Sequence, residues 1–221
     1  MIPEKLTYIF VNISTILFPF LFSFTKMFNF KKHWNSFFKA NIIVGVLYVL
    51  WDIYFTDIGV WGFDHTYTIG FKIFNLPLEE LLFFICIPFA CLFTYYCFRK
   101  FVFHRVPLNL NQFWIITSII LMIVGILNYS KLYTCAAFIS ASLSCFIAYR
   151  WKSVLFTHFI IFYAVILIPF FIMNGILTGS FMERVVVYYN DNENLGFRIF
   201  TIPFEDIFYG WALLLFNIIG F

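Results

Sequence analysis

Hydrophobic and polar positions fall along this chain in blocks. Long apolar runs alternate with shorter stretches that hold nearly all of the charge. A helix rises about 1.5 Å per residue and needs about 20 mostly apolar residues to cross a bilayer's hydrocarbon. Seven runs approach or meet that length: residues 6–24, with Pro19 as a kink; 37–55, with Asp52 near its end; 77–98, opening on Pro77; 113–129; 132–149; 154–177, with Pro169 and Asn174 late in it; and 203–221, opening on Pro203. Only a tight turn containing Lys131 separates the fourth run from the fifth. Two connecting segments are long. Residues 56–76 are rich in Gly and aromatics and hold Trp61, Asp64, His65 and Tyr67, and residues 178–202 carry Glu183, Arg184, Asp191 and Glu193. The predicted fold class is all-α, an integral membrane bundle of seven transmembrane helices.

The pattern also repeats. Residues 69–84 (IGFKIFNLPLEELLFF) return 126 positions later as residues 195–210 (LGFRIFTIPFEDIFYG). Lys72 aligns with Arg198, Pro77 with Pro203, Glu79 with Glu205, and Glu80 with Asp206. Each copy follows two predicted helices and a long loop, and leads into a third helix. The expected organisation is one membrane domain, 1–221, with repeat one at about 1–105, a connecting helix at about 106–130 and repeat two at about 131–221. A single intervening helix makes the two three-helix repeats (1–3 and 5–7) parallel rather than inverted. Both carboxylate pairs then lie near the same membrane face and can point into one cavity.

Composition supports the membrane assignment. Charged residues make up 11% of the chain against 63% hydrophobic, whereas soluble domains carry about 25% charged residues. The loops after runs one, three and five hold nine Lys and Arg: Lys26, Lys31, Lys32 and Lys39; Arg99, Lys100 and Arg105; Arg150 and Lys152. Lys5, Lys72, Lys131, Arg184 and Arg198 lie on the other side. By the positive-inside rule the N-terminus is outside and the C-terminus cytoplasmic. The first run has no small-residue cleavage site and reads as a retained span. No basic stripe exists beyond the membrane flanks, which argues against a nucleic-acid partner. Cys86, Cys91, Cys97, Cys135 and Cys145 all fall within apolar runs and read as packing residues.

Paired carboxylates in so apolar a chain call for an explanation. Pro followed by acids is an ordinary way to begin a helix, since the helix dipole favours negative charge there. Two copies in matching aromatic flanks, at the edge of membrane spans, point beyond helix starts to function. Adjacent helical residues point about 100° apart, so one acid of each pair faces the cavity and its neighbour faces loop or headgroups. Asp52 and Asn174 occupy comparable late positions in runs two and six and complete a polar cluster. Burial and dipole effects can separate carboxyl pKa values, as a general acid and a general base require. Trp51, Trp61, Tyr67 and Tyr209 lie closest to the motifs, where aromatic faces would stabilise a carbocation. With Pro77, Asn174 and Pro203 they form the candidate substrate-binding set.

No cofactor is evident. The ten glycines contain no Gly-x-Gly-x-x-Gly, the last run has no lysine for a retinal Schiff base, and His33, His65, His104 and His158 are scattered. The spacing of Asp52, Asp57 and Asp64 is similar to, though looser than, the Mg²⁺–diphosphate sites of membrane prenyltransferases. An intramembrane prenyltransferase acting on a prenyl diphosphate therefore stays open, as does a small proton-coupled transporter using the same acids. No metal site is expected.

Trp51-Asp52, residues 59–63 with Trp61, Pro77-Leu78-Glu79-Glu80 and Pro203-Phe204-Glu205-Asp206 together resemble the membrane-integral lycopene cyclases. These are the type without a flavin motif, and the likeness extends over nearly the whole chain. This sequence looks like the fused form, with both subunit-like halves in one polypeptide. Asn174 departs from the pattern, standing where repeat one has Asp52. The resemblance implies a lycopene β-cyclase of carotenoid biosynthesis, whose partners are the bilayer and lycopene or a related acyclic carotenoid. An acid protonates the terminal double bond, the tertiary cation is attacked by an internal double bond, and proton loss leaves a β-ring with no redox change. It places acid and base among Glu79, Glu80, Glu205 and Asp206, assisted by Asp52.

Overall fold

The computed structural model describes residues 3–102, 111–151, 158–180 and 184–221. His104, Arg105, Lys152, Glu183 and positions 154–157 of the sixth run lie outside the described residues. Seven α-helices are described: α1 (Thr7–Ser23), α2 (Trp34–Asp57), α3 (Leu78–Phe101), α4 (Asn111–Leu127), α5 (Leu132–Trp151), α6 (Phe159–Leu177) and α7 (Glu205–Gly220). Five helical segments have the length and apolar character to cross a membrane: Glu4–Ser23, Phe30–Asp57, Leu78–Phe101, Leu132–Trp151 and Phe159–Leu177. Large apolar side chains such as Ile42, Ile43, Leu47 and Ile168 stand exposed along their outer faces. An apolar coat of that extent belongs against lipid rather than water. The chain is a multi-pass helical membrane protein.

The long connecting segments are more structured than the sequence predicts. In the first, β1 (Trp61–Phe63) precedes a hairpin of β2 (Lys72–Ile73) and β3 (Leu76–Pro77). In the second, β4 (Val187–Tyr189) precedes a hairpin of β5 (Arg198–Ile199) and β6 (Ile202–Pro203). Pro77 and Pro203 thus end strands and do not begin the helical spans as the sequence reading has them. Pro77 is an extended N-cap at φ −65°, ψ 149°, and Phe204 intervenes between Pro203 and α7. Proline has no N–H to give a ladder, which suits a short edge strand about to enter a helix.

The two hairpins are copies in detail. Lys72 pairs with Pro77 and Ile73 with Leu76, as Arg198 pairs with Pro203 and Ile199 with Ile202. Phe74 and Phe200, at the first turn position, both sit at φ +57°. A non-glycine residue there costs about 1–2 kcal/mol, so each turn needs support from outside the hairpin.

β1 and β4 lie antiparallel and join the two halves, with Trp61 opposite Tyr189, Gly62 opposite Tyr188 and Phe63 opposite Val187. Carried back to these strands, the 126-residue offset makes Gly62 the counterpart of Tyr188, so equivalent residues pair at the centre of the ladder. A Cβ on Gly62 would collide with the Tyr188 ring. Strands otherwise hidden in loops therefore bring Trp61 and Tyr189 together above the helices.

Within the bundle, polar side chains bridge helices. The Asn41 amide on α2 donates to the Phe84 carbonyl (3.0 Å) on α3 and to Asn217 Oδ1 (3.2 Å) on α7. Ser118 and Ser142 each donate to the other's carbonyl across α4 and α5, at 2.9 and 2.6 Å. Gly125 lets α4 approach α5 so closely that a Cβ would lie 2.9 Å from Ile139 Cγ1 and 3.3 Å from the Cys135 carbonyl. Small residues and short hydrogen bonds are how helices associate when lipid supplies no hydrophobic drive. Gly125→Leu should force α4 from α5 at a cost of about 1–3 kcal/mol. A lower melting temperature in detergent checks this, and an unchanged melt contradicts the packing described.

Candidate active site

Glu79 and Glu80 occupy the first turn of α3, and Glu205 and Asp206 the first turn of α7. Neighbours on a helix diverge by about 100°, and each pair splits accordingly. Glu79 and Glu205 turn to their hairpins. Glu79 Oε1 accepts the Ile69 N–H at 2.7 Å, and Glu205 Oε1 accepts the Leu195 N–H at 2.7 Å and the Thr134 hydroxyl at 2.6 Å. Leu78 N–H to Phe71 O and Phe204 N–H to Phe197 O close the same loops, at 2.9 and 3.1 Å. These bonds supply the support that the left-handed phenylalanines require. Both glutamates are fully buried, and Oε2 of each has no hydrogen-bond partner.

Glu80 and Asp206 turn the other way, into a cavity of about 310 Å³ bounded chiefly by α1, α3, α6 and α7. That volume is at the lower end for small-molecule sites, which run about 300–1,000 Å³. Tyr8 on α1 donates its hydroxyl to Glu80 Oε2. Tyr133 on α5 donates to Asp206 Oδ1, while Asn174 Nδ2 (2.7 Å) and the Tyr189 hydroxyl (3.0 Å) donate to Asp206 Oδ2. Burial pushes the Tyr189 phenol well above its ordinary range, which keeps it a donor. Asp52 lies beside Glu80, its Oδ1 accepting from Trp61 Nε1 at 2.5 Å and from Thr56 at 3.3 Å. Asp52 Oδ2 is buried without a partner.

Above the acids the aromatic rings close ranks. Trp61 packs edge-on against Tyr133 (centroids 5.1 Å apart), and Tyr133 stacks on Tyr189 at 5.8 Å. Tyr209 lies 6.3 Å from both Trp61 and Tyr133.

Of the residues picked out in the sequence, Asp52, Glu80, Asp206, Trp61, Asn174 and Tyr209 line this cavity. Glu79, Glu205, Pro77 and Pro203 belong to the hairpin junctions behind it. Tyr67 is buried in the aromatic cluster under the first loop, and Trp51 faces a separate groove, packed against Tyr209. Sequence reading missed Tyr8, Tyr133 and Tyr189. A polar hydroxyl near the start of an otherwise apolar span, at the end where the acids lie, was the available signal for the first two. Tyr189 becomes visible only once β1 and β4 pair.

The three aspartates left open as metal–diphosphate ligands do not gather. Asp57 is exposed, and Asp64 caps a short 3₁₀ helix by accepting the Thr66 N–H at 2.9 Å, a bond that holds its carboxyl below the usual range. Asp191 is likewise lowered by Arg198, 2.5 Å away. Among the described residues, no three His, Cys, Asp or Glu side chains form a metal-binding group.

The fold and site define a multi-pass helical membrane protein with a mostly apolar, aromatic-walled chamber that holds carboxyl groups from both halves of the chain. A protein-family model described as lycopene cyclase matches residues 5–98 and again residues 129–221, leaving α4 between the two matches. The chain belongs to the lycopene cyclase family, so its substrate is a carotenoid and its setting a lipid membrane. Searches of curated proteins and of solved structures returned no match.

If the buried glutamates hold the hairpins, Glu205→Ala should leave the Leu195 N–H and the Thr134 hydroxyl unpaired, at about 1–3 kcal/mol each. Hydrogen exchange at 195–203 should then quicken by at least about tenfold, with residues 69–77 unaffected. Glu79→Ala should give the converse. Unchanged exchange in both variants would contradict the clamp.

Proposed function

We propose that this protein is a lycopene β-cyclase that closes acyclic ψ-ends to β-rings by acid–base chemistry, without redox change and without a flavin. The observation that carries this reading is the meeting of Glu80 and Asp52 from the first half with Asp206 from the second, in one aromatic-walled chamber. It is the fused form, a single chain containing both halves, with repeats at about 1–105 and 131–221 joined by 106–130. All seven helices cross the membrane, with the repeats parallel, the N-terminus outside and the C-terminus in the cytoplasm of a bacterial cell.

The roles follow from the hydrogen bonds. Two carboxyls side by side favour holding one proton between them, and the unpartnered Asp52 Oδ2 beside Glu80 is where that proton fits. The Asp52–Glu80 pair is therefore the acid. Asp206 accepts from three neutral donors, an arrangement that suits an anion, and is the base.

The acid protonates the terminal carbon–carbon double bond, leaving a tertiary cation. The π electrons of the internal double bond form the ring carbon–carbon bond and move the cation to the next ring carbon. Asp206 removes the proton from the adjacent ring carbon, and those electrons form the ring double bond. One proton enters and one leaves, so the step is an isomerisation. Loss of this proton conjugates the new double bond with the polyene, which favours the β over the ε ring. Trp61, Tyr133, Tyr189 and Tyr209 present π faces to the cation, each worth about 0.5–2 kcal/mol. Glu79 and Glu205 position the acids by fixing the hairpins.

Expression in a lycopene-accumulating bacterium, followed by pigment chromatography, tests the reading. Wild type should convert lycopene to β-ring products, and Glu80→Gln or Asp206→Asn should lower conversion by at least about a hundredfold with the protein still in the membrane. Unchanged lycopene with wild type, or full activity in both variants, would overturn it.

A further inference from the structure

The two halves are equivalent in sequence, yet their flanks are not equally open. Tyr8 and Tyr133 play one role at Glu80 and Asp206, which aligns α1 with α5 at an offset of 125 residues. Asp52 and Asn174 align α2 with α6 at 122, and the hairpin motif aligns α3 with α7 at 126. On these offsets Thr15 corresponds to Ser140, Tyr48 to Phe170, Trp51 to Met173 and Phe83 to Tyr209.

Thr15, Phe83, Phe170 and Met173 all line the acid chamber, on its side between α1, α3 and α6. Their counterparts Ser140, Tyr48 and Trp51 line a different space, a groove of about 630 Å³ between α2, α5 and α7, walled partly by exposed residues such as Ile43 and Leu47. The groove and the chamber's flank are therefore the same feature built twice. Only one of them reaches the acids.

The difference lies in three side chains. Tyr48, Trp51 and Tyr209 pack into a mutual cluster, with centroids 5.3 Å apart for Tyr48–Trp51, 5.0 Å for Trp51–Tyr209 and 5.0 Å for Tyr48–Tyr209. The Tyr48 hydroxyl meets Ser140 Oγ at 3.4 Å, tying the cluster to α5. Tyr209 faces the chamber while Tyr48 and Trp51 face the groove, so the cluster is a partition. In the first flank the same places hold Phe170, Met173 and Phe83, and α6 packs less closely against the rest than α2 does. An unbranched, flexible Met fills space adaptably where an indole fills it rigidly.

The chamber lining on α3 runs from Glu80 to Thr94, about 21 Å of helix. An extended forty-carbon polyene keeps its two ends further apart than that. With one flank sealed, only one end can stand among the acids while the remainder trails out between α1, α3 and α6.

We infer that the chamber has a single entrance, that Trp51, Tyr48 and Tyr209 seal its twin, and that the protein closes one ring per binding event. A monocyclic carotenoid then leaves and must rebind by its other end before a second ring forms. This rests on the cyclase reading above, and it assigns the two carboxyl clusters to one reaction rather than to one end each.

The test uses the full-length protein in liposomes. Isotope-labelled lycopene is supplied, and once monocyclic product appears an excess of unlabelled lycopene is added. The expected result is labelled monocyclic carotenoid whose passage to bicyclic product is cut roughly in proportion to the excess. Label that runs on to bicyclic product despite the excess would overturn the inference.

A matched pair of variants tests the entrance. Thr15→Trp should lower turnover by at least about tenfold, and Ser140→Trp, at the equivalent place, should stay within about twofold of wild type. Thr15→Phe and Ser140→Phe give the same comparison with less bulk, and melting curves check that all four fold. Equal loss in both members of a folded pair, or none at Thr15, would overturn the single entrance. Wild type that yields no cyclised product at all would instead overturn the cyclase reading.

Discussion

The rest of this architecture depends on burying carboxyl groups where no bulk water is at hand. An ionised or polar group in such a place is costly unless protein atoms replace its solvent. Glu79 and Glu205 meet that requirement at Oε1, which accepts loop amides, Ile69 N–H and Leu195 N–H at 2.7 Å, and so ties two strained hairpins to two helix starts. Asp52 Oδ1, Glu80 and Asp206 meet it with tyrosine, tryptophan and asparagine donors, Trp61 from β1 just after α2 and the others from helices and a strand elsewhere in the chain. The acids are thus both the reason for the surrounding framework and the means by which its parts are held together.

Duplication then sets the chemistry through what is not duplicated. Asn174 stands where the first half has Asp52. One cluster therefore holds two carboxyls, Asp52 and Glu80, while the other has one carboxyl surrounded by donors. Protonation and deprotonation are opposite tasks, and two identical clusters would be poorly suited to divide them. A single side-chain difference between the halves supports such a division. The contrast of Trp51 with Met173 makes a second asymmetry, at the flanks.

Much of this was legible in the sequence. The apolar runs coincide with the seven described helices, because a long apolar run favours a buried or lipid-facing helix, and five of the helical segments are long and apolar enough to cross a membrane. The hairpin repeat predicts two carboxyl pairs, and the helical twist predicts that each pair divides. What the sequence did not disclose is which member faces inward, since Glu79 and Glu80 are the same residue type and only the loop amide above Glu79 distinguishes them. Tyr8, Tyr133 and Tyr189 escaped for a related reason. Their roles depend on contacts between residues 72, 73 and 17 positions apart. Trp51 was read with the substrate because it adjoins Asp52, but one step along a helix turns it to the opposite side of the wall.

The most direct measurement is cyclisation of lycopene by the wild-type protein in liposomes suspended in D₂O, with the products examined by mass spectrometry. Proton delivery from the Asp52–Glu80 pair, which exchanges with solvent, predicts one deuterium gained for every ring closed and retained at the carbon protonated first. Rings that form without deuterium would contradict protonation by a solvent-exchanging acid and, with it, the central role given to the chamber.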